Sequence, residues 1–340
     1  MKTSIKVIIS IVFCFFIIIL GVGIGSVNIP PSHILKILWS NILNRPLPVD
    51  IEANFVSIIW KIRLPRAILA FIVGGALAVS GSVMQSVLKN PLASSYTLGV
   101  SSGASVGAGL VMITGFSIPI LGKFTLPFVG LLAGLLTVYL AIRFSAKIDK
   151  NMENNTIILV GMVFSLFINA MITLMTALSR ENLQKLTFWQ MGSFSLKEWS
   201  DVVVLFPIVV LCITILMKYS KELDIMTFGE EQAMAIGVDT KRVKWILLGL
   251  SAALTGSAIA FVGVIGFIDL ISPHVVRKIF GASHKLVIPM SMIFGGAFMV
   301  VCDLIARTII PLSELPVGAV TAIIGAPFFG YVYFSRRKVE

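Results

Sequence analysis

Charge is what this sequence has least of. Only 13% of its 340 residues are Asp, Glu, Lys or Arg, against roughly 25% in a soluble domain. So few charged groups cannot cover a water-facing surface, and the chain is instead 57% hydrophobic with a mean hydropathy of +0.99. That balance excludes a soluble enzyme, a DNA-binding domain and a disordered chain. Cysteine is equally sparse. Cys14, Cys212 and Cys302 lie far apart in apolar runs, so neither a disulfide framework nor a Cys-rich metal site is expected. There are three histidines, His33, His274 and His284, and no H-E-x-x-H or G-x-S-x-G. The nearest approach to a phosphate-binding loop runs from Gly115 to Gly122-Lys123-Phe124, with Phe where the hydroxyl of a nucleotide-binding loop should stand. No catalytic residue, metal-ligand set or cofactor site is therefore expected. The net charge of +11 reads as Lys and Arg at membrane ends, with no nucleic-acid partner.

Long apolar runs are what the chain does have. A helix needs about 20 residues to cross roughly 30 Å of hydrocarbon. Ten runs qualify: 5–27, 66–88, 95–115, 124–146, 156–178, 199–219, 243–263, 264–280, 285–309 and 317–335. The expected architecture is all-α: a polytopic membrane protein of about ten transmembrane helices in a compact bundle, one transmembrane domain over 1–340. The stretch 243–280 is continuous and also reads as one long helix plus a re-entrant piece. Lys2 and Lys6 precede the first run as in a signal peptide, but the run is long and no A-x-A site follows, so it is expected to remain as a helix. With the N-terminus inside, seventeen of the 27 Lys and Arg fall on the inner side and the C-terminus is inside too. Five of the remaining ten lie between Lys36 and Arg66, an outer surplus that asks for a reason. Pro31 to Leu43 alternates like a short surface helix. Residues 220–241 are the core of the longest polar inner stretch.

Charges inside spans are costly, and each is a functional candidate. Asp269 sits in the apolar segment Gly266-Phe-Ile-Asp-Leu-Ile-Ser-Pro-His274. It is expected to be structural, paired or protonated within the bundle; the alternative is the coupling acid of an ion-driven carrier. Asp303 and Arg307 are spaced i, i+4 and can meet on one helix face. Gly21 and Gly25, Gly103 and Gly107, and Gly130 and Gly134 repeat at the spacing that lets helices approach closely. Pro65, Pro273, Pro289, Pro316 and Pro327 are expected to mark helix starts or breaks.

Eight ordered motifs carry a resemblance: Arg63-Leu-Pro-Arg66; Gly74-Gly-Ala-Leu-Ala-Val-Ser-Gly81 with Met84-Gln85; Asn90-Pro-Leu-Ala93; Leu98-Gly-Val-Ser-Ser-Gly-Ala-Ser105; Phe188-Trp-Gln-Met-Gly-Ser-Phe194; Gly229-Glu230 with Ala235-Ile-Gly-Val238; Gly263-Val-Ile-Gly-Phe267 with Pro273-His274; and Asp303 with Arg307, Glu314-Leu-Pro-Val-Gly318 and Gly325-Ala-Pro-Phe-Phe329. Over nearly its whole length the chain resembles the permease subunits of type II ATP-binding-cassette importers for ferric siderophores, haem and cobalamin. The resemblance implies ten helices per subunit, a homodimer or close heterodimer with a path between the subunits, and two separate ATPase subunits that bind the ATP. It also implies an extracytoplasmic solute-binding protein or lipoprotein, a metal-chelate cargo, and a multi-pass place in the bilayer of a bacterial cytoplasmic (inner) membrane. By motif match, Arg63, Arg66 and Arg307 become outward docking residues for the binding protein, which accounts for the outer surplus. Gly229, Glu230, Ala233 and Gly237 become the ATPase-coupling residues within 220–241. Iron-siderophore is the commonest cargo of the family, with haem and cobalamin as alternatives. Two departures stand out. Asp269 replaces a usual glycine, and Ser95 replaces a usual proline.

Overall fold

The computed structural model describes residues 3–25, 27, 29–43, 51–310 and 313–336. Of the residues used above, Lys2, Arg45, Arg337 and Lys338, and Ser26 within the first run, lie outside these. Among the described residues all regular structure is helical. The helices are α1 Thr3–Gly23, α2 Pro31–Ile42, α3 Ala53–Ser57, α4 Leu64–Val87, α5 Val100–Thr114, α6 Thr125–Ile148, α7 Asn154–Leu178 and α8 Leu183–Gln190. They continue as α9 Trp199–Lys218, α10 Ser220–Phe228, α11 Glu230–Ala235, α12 Thr240–Val262, α13 Ile268–Phe280, α14 His284–Thr308 and α15 Val317–Arg336. A wide turn, Ile58–Arg63, joins α3 to α4 in one rod, Ala53–Val87.

Among the described residues, seven helices are long and apolar enough to cross a membrane: α1, the α3–α4 rod, α6, α7, α9, α12 and α14. Helices α5 and α15 are apolar but shorter. Helix α13 has 13 residues and rises only about 20 Å. The run 243–280 thus resolves into a full helix, a non-helical link at 263–267, and a half-length helix.

Burial sorts the helices. The apolar window of the α4 rod is 89% buried, against 22% in α1 and in α7. Apart from Arg66 and Gln85 near its ends, helix α4 is small or apolar all round, as suits a helix enclosed by neighbours, and it packs against α9, α12, α13 and α14. The paired glycines of α5 and α6 do what their spacing suggests, whereas Gly25 lies beyond the end of α1 and faces the Arg63 guanidinium. The α5 pair meets α6 at Val129 and Ala133, where a Cβ on Gly107 would sit 2.8 Å from both residues. Prolines behave less uniformly than expected. Pro65 starts α4 and Pro316 precedes α15, but Pro273, Pro289 and Pro327 lie inside helices that continue through them. A bundle can re-satisfy the freed backbone groups locally, so proline in a membrane helix is a weaker stop signal than in water. Helix α2 lies on a small satellite core, with Ile34 and Ile37 buried beside Val22, Ile59 and Ala67, while Leu35 and Trp39 face outward.

Candidate functional sites

The three motif arginines converge at the end of the bundle that holds α2. All of them face inward. Arg63, 4% exposed, donates through Nη1 to the carbonyl of Gly23 at 2.8 Å and through Nη2 to that of Val27 at 2.5 Å. Arg307 donates to the Gly21 carbonyl. The last carbonyls of α1, which have no partner within their own helix, are thus capped by two cations, the favoured sign at a helix C-terminus. Arg66, 7% exposed, closes the cluster. Its Nη2 lies 2.9 Å from Asp303 Oδ1, its Nε 3.1 Å from both Asp303 oxygens, and its Nη1 2.8 Å from Glu314 Oε1. The i, i+4 contact read from sequence exists, but Arg307 Nε stays 3.6 Å from Asp303 Oδ2. Arg63 and Arg307 thus hold α1 rather than extend freely into solvent, while Arg66 also lines an open cleft at this end. A guanidinium buried in an apolar bundle calls for partners, and these find them on α1, α14 and the 313–316 segment, although Arg307 Nε has none within hydrogen-bond distance among the described residues. The open feature nearby is a cleft of about 590 Å³ lined by Lys61, Lys197, Leu196, Trp199 and Glu314. Leu196 is 95% exposed and sits at φ +57°.

The segment 220–241 lies at the opposite end of the helices. Helix α10 is seated by buried Leu223 and Met226. Gly229 then breaks the helix with φ +152°, and Gly237 turns the chain into α12 at φ +90°, backbone conformations that a Cβ disfavours. Two of the expected contact residues turn inward. Ala233 is wholly buried. Glu230 is spent on Lys244, at 2.7 Å, whose ammonium is buried and also donates to the Met152 carbonyl at 2.7 Å. Facing outward are three large apolar side chains, Phe228 at 84% exposure, Ile236 at 66% and Met234, interspersed with the polar Glu231 and Gln232. The glycines were legible by resemblance; the exposed apolar trio was not singled out by the motif.

Asp269 lies in the first turn of α13, buried, with Oδ2 accepting the Ser94 hydroxyl. Its backbone presses on Gly81 of α4, where a Cβ would fall on the Asp269 carbonyl, and that carbonyl accepts from Gln85 Nε2 at 3.2 Å. The second departure packs close by: Ser95 Oγ is 2.6 Å from Ser80 Oγ, which also receives the Thr255 hydroxyl at 2.7 Å. Asp269 thus clamps α13 to the 90–95 loop. Asp269→Asn retains an acceptor for Ser94 and is expected to keep more than half of transport. Asp269→Leu strands the Ser94 hydroxyl and should cost about 1–3 kcal/mol. Uptake and thermal unfolding of both variants check this, and loss of uptake in a folded Asn variant would make the charge itself essential.

Three comparisons bear on this arrangement. The model of the FecCD transport family matches residues 12–335. An uncharacterized ABC transporter permease protein of Bacillus subtilis, YvrB, is 39% identical over 94% of this chain and 91% of its own length. The cobalamin import permease BtuC of Halobacterium salinarum is 37% identical over 86% of this chain and 77% of its own. A solved inward-facing structure classed as a metal-chelate type ABC transporter superposes with a TM-score of 0.82 at 30% identity, covering 96% of this chain and 97% of that one.

Proposed function

This chain belongs to the FecCD transport family and is an ABC importer permease, and from that premise we propose that it carries an iron-siderophore complex across a bacterial cytoplasmic membrane. A solute-binding protein delivers the cargo, separate ATPase subunits hydrolyse the ATP, and both termini lie in the cytoplasm. The observation that carries this reading is the α10–α11 knuckle. It is firmly seated on the core yet presents Phe228, Met234 and Ile236 to the outside. Apolar groups at a water-facing end point to a protein partner. A knuckle gripped by an ATPase converts nucleotide-driven closure into rigid-body rocking of helices.

The path is proposed to run between two copies, or two close relatives, of this subunit along α7. That helix is exposed along a face that includes Asn169 and Thr173 together with Met162. Neutral polar and thioether groups fit a wrapped chelate that must slide without being gripped. Relatives are named for cobalamin, molybdate, hemin and Fe(3+) dicitrate, so haem and cobalamin are the cargo alternatives. Proteoliposomes holding the permease and its ATPase test the reading. Vanadate-sensitive uptake of a ferric siderophore in preference to haem or cobalamin is expected. Uptake driven by an ion gradient and indifferent to vanadate would replace it with an ion-coupled carrier using Asp269.

Docking of the binding protein is proposed at the α2 end, with the buried arginine cluster as scaffold and Lys61 and Lys197 in the cleft as the charges it meets. Rim charges act chiefly on association rate and fade with salt. The double variant Lys61→Glu, Lys197→Glu should slow capture about tenfold at low salt, with the gap closing at high salt. Stopped-flow capture that matches wild type at low salt would move the docking site elsewhere.

A further inference from the structure

We infer that His284 is the joint through which α10 grips α4 and α13, and is thus a positioning residue for transport; the inference rests on the ABC-permease reading above. Its geometry starts at Asp224 on α10. One carboxylate oxygen, Oδ1, receives both the backbone N–H of His284 at 2.8 Å and its Nδ1 at 2.6 Å, while Oδ2 receives the Ser283 hydroxyl at 3.2 Å. The side chain of α10 therefore caps α14. The imidazole, 1% exposed, then spans to α4: its Nε2 is 2.6 Å from Ser86 Oγ. Arg277 on α13 reaches the same serine at 3.1 Å, the Ser82 carbonyl at 2.9 Å and Gln85 Oε1 at 2.5 Å. Gln85 in turn holds the Asp269 carbonyl, in the first turn of α13.

A continuous polar chain thus runs from the knuckle to the first turn of α13. Its character differs from that of the surrounding contacts. Leu223 and Met226 seat α10 by apolar packing, which has no direction and tolerates sliding. The imidazole is a rigid plane with a nitrogen on each edge, so it fixes the spacing of Asp224 and Ser86. Parting them would strand buried polar groups, which is costly. When the ATPase moves α10–α11, α4 and α13 must follow as one body or this bridge must break.

The experiment uses the transporter purified with its own ATPase subunits, spin-labelled at exposed positions. One pair is Lys221→Cys on α10 with Lys278→Cys on α13; the other is Lys221→Cys with Lys147→Cys on α6. Distances are measured without nucleotide and after vanadate trapping. The Lys221–Lys278 distance should stay fixed in wild type while the Lys221–Lys147 distance changes. In His284→Ala the first distance should change as well, and vanadate-sensitive uptake of a ferric siderophore per ATP should fall about fivefold. Should that variant fail to assemble, Ser86→Ala cuts only the far half of the bridge and should show the same new movement. A Lys221–Lys278 distance that shifts in wild type, or stays fixed in both variants, overturns the inference and leaves the permease reading intact. Absence of any ATPase subunit, with no response to trapping, overturns both.

Discussion

Asp303→Ala is expected to be the most damaging single substitution at the α2 end, lowering stability by about 3–5 kcal/mol. The carboxylate is 2% exposed and serves both Arg66 and Arg307. Without it Arg66 keeps only Glu314, a carboxylate 41% exposed, and Arg307 keeps only the Gly21 carbonyl. The loss then comes chiefly from Arg307, left without a counter-charge, and from Arg66, left with a single, more exposed one. This separates it from the ordinary cost of deleting one hydrogen bond, about 1 kcal/mol. Replacing the set with apolar groups of similar volume, Arg66→Met, Asp303→Leu and Arg307→Met, should recover most of the stability. Thermal unfolding in detergent checks both variants. A melting point for Asp303→Ala within a degree or two of wild type would mean that water already reaches the cluster.

The second large effect is expected at the knuckle. Ile236→Asp or Phe228→Asp should weaken ATPase association by about thirtyfold, the size of an interface hot spot, because each places a carboxylate where an apolar anchor docks. Cysteine substitutions sharpen the test. Ile236→Cys should react with maleimide and cross-link to the ATPase, whereas Ala233→Cys, at a wholly buried site, should do neither. Labelling of Ala233→Cys with Ile236→Cys silent would place the ATPase on the other face of α11.

How much of this the sequence disclosed depends on how far apart the partners lie. The i, i+4 pair Asp303–Arg307 could be read directly, yet Arg66, the stronger partner, is 237 residues from Asp303 and no local pattern joins them. Asp269 announced itself as an acid in an apolar run, while Ser94, its partner, is 175 residues away. The motif at Gly229 and Gly237 was legible only as a coupling segment by resemblance; that both glycines sit at backbone angles a Cβ disfavours is visible in the fold alone. In a helix of six residues, however, spacing cannot say which side faces the core, so Ala233 was taken for a contact residue. His284 looked like a stray histidine beside a short inner loop. Its one cue was Asp224, an acid on the same side, with 60 residues between them. His33 lies half-buried beside Phe55, 22 residues on, another contact that no local pattern announces.

The half-length of α13 bears on how the protein is made. At about 20 Å it cannot span a hydrocarbon layer of roughly 30 Å, and it carries Asp269 in its first turn. A translocation channel that sorts segments by their own hydrophobicity would not release it into lipid by itself. It must enter together with α12 before it or α14 after it, and settle against α4 only when Gly81 is in place to receive it. Truncating the chain during synthesis after residue 283 should therefore leave α13 accessible from one side of the membrane, and completing α14 should bury it.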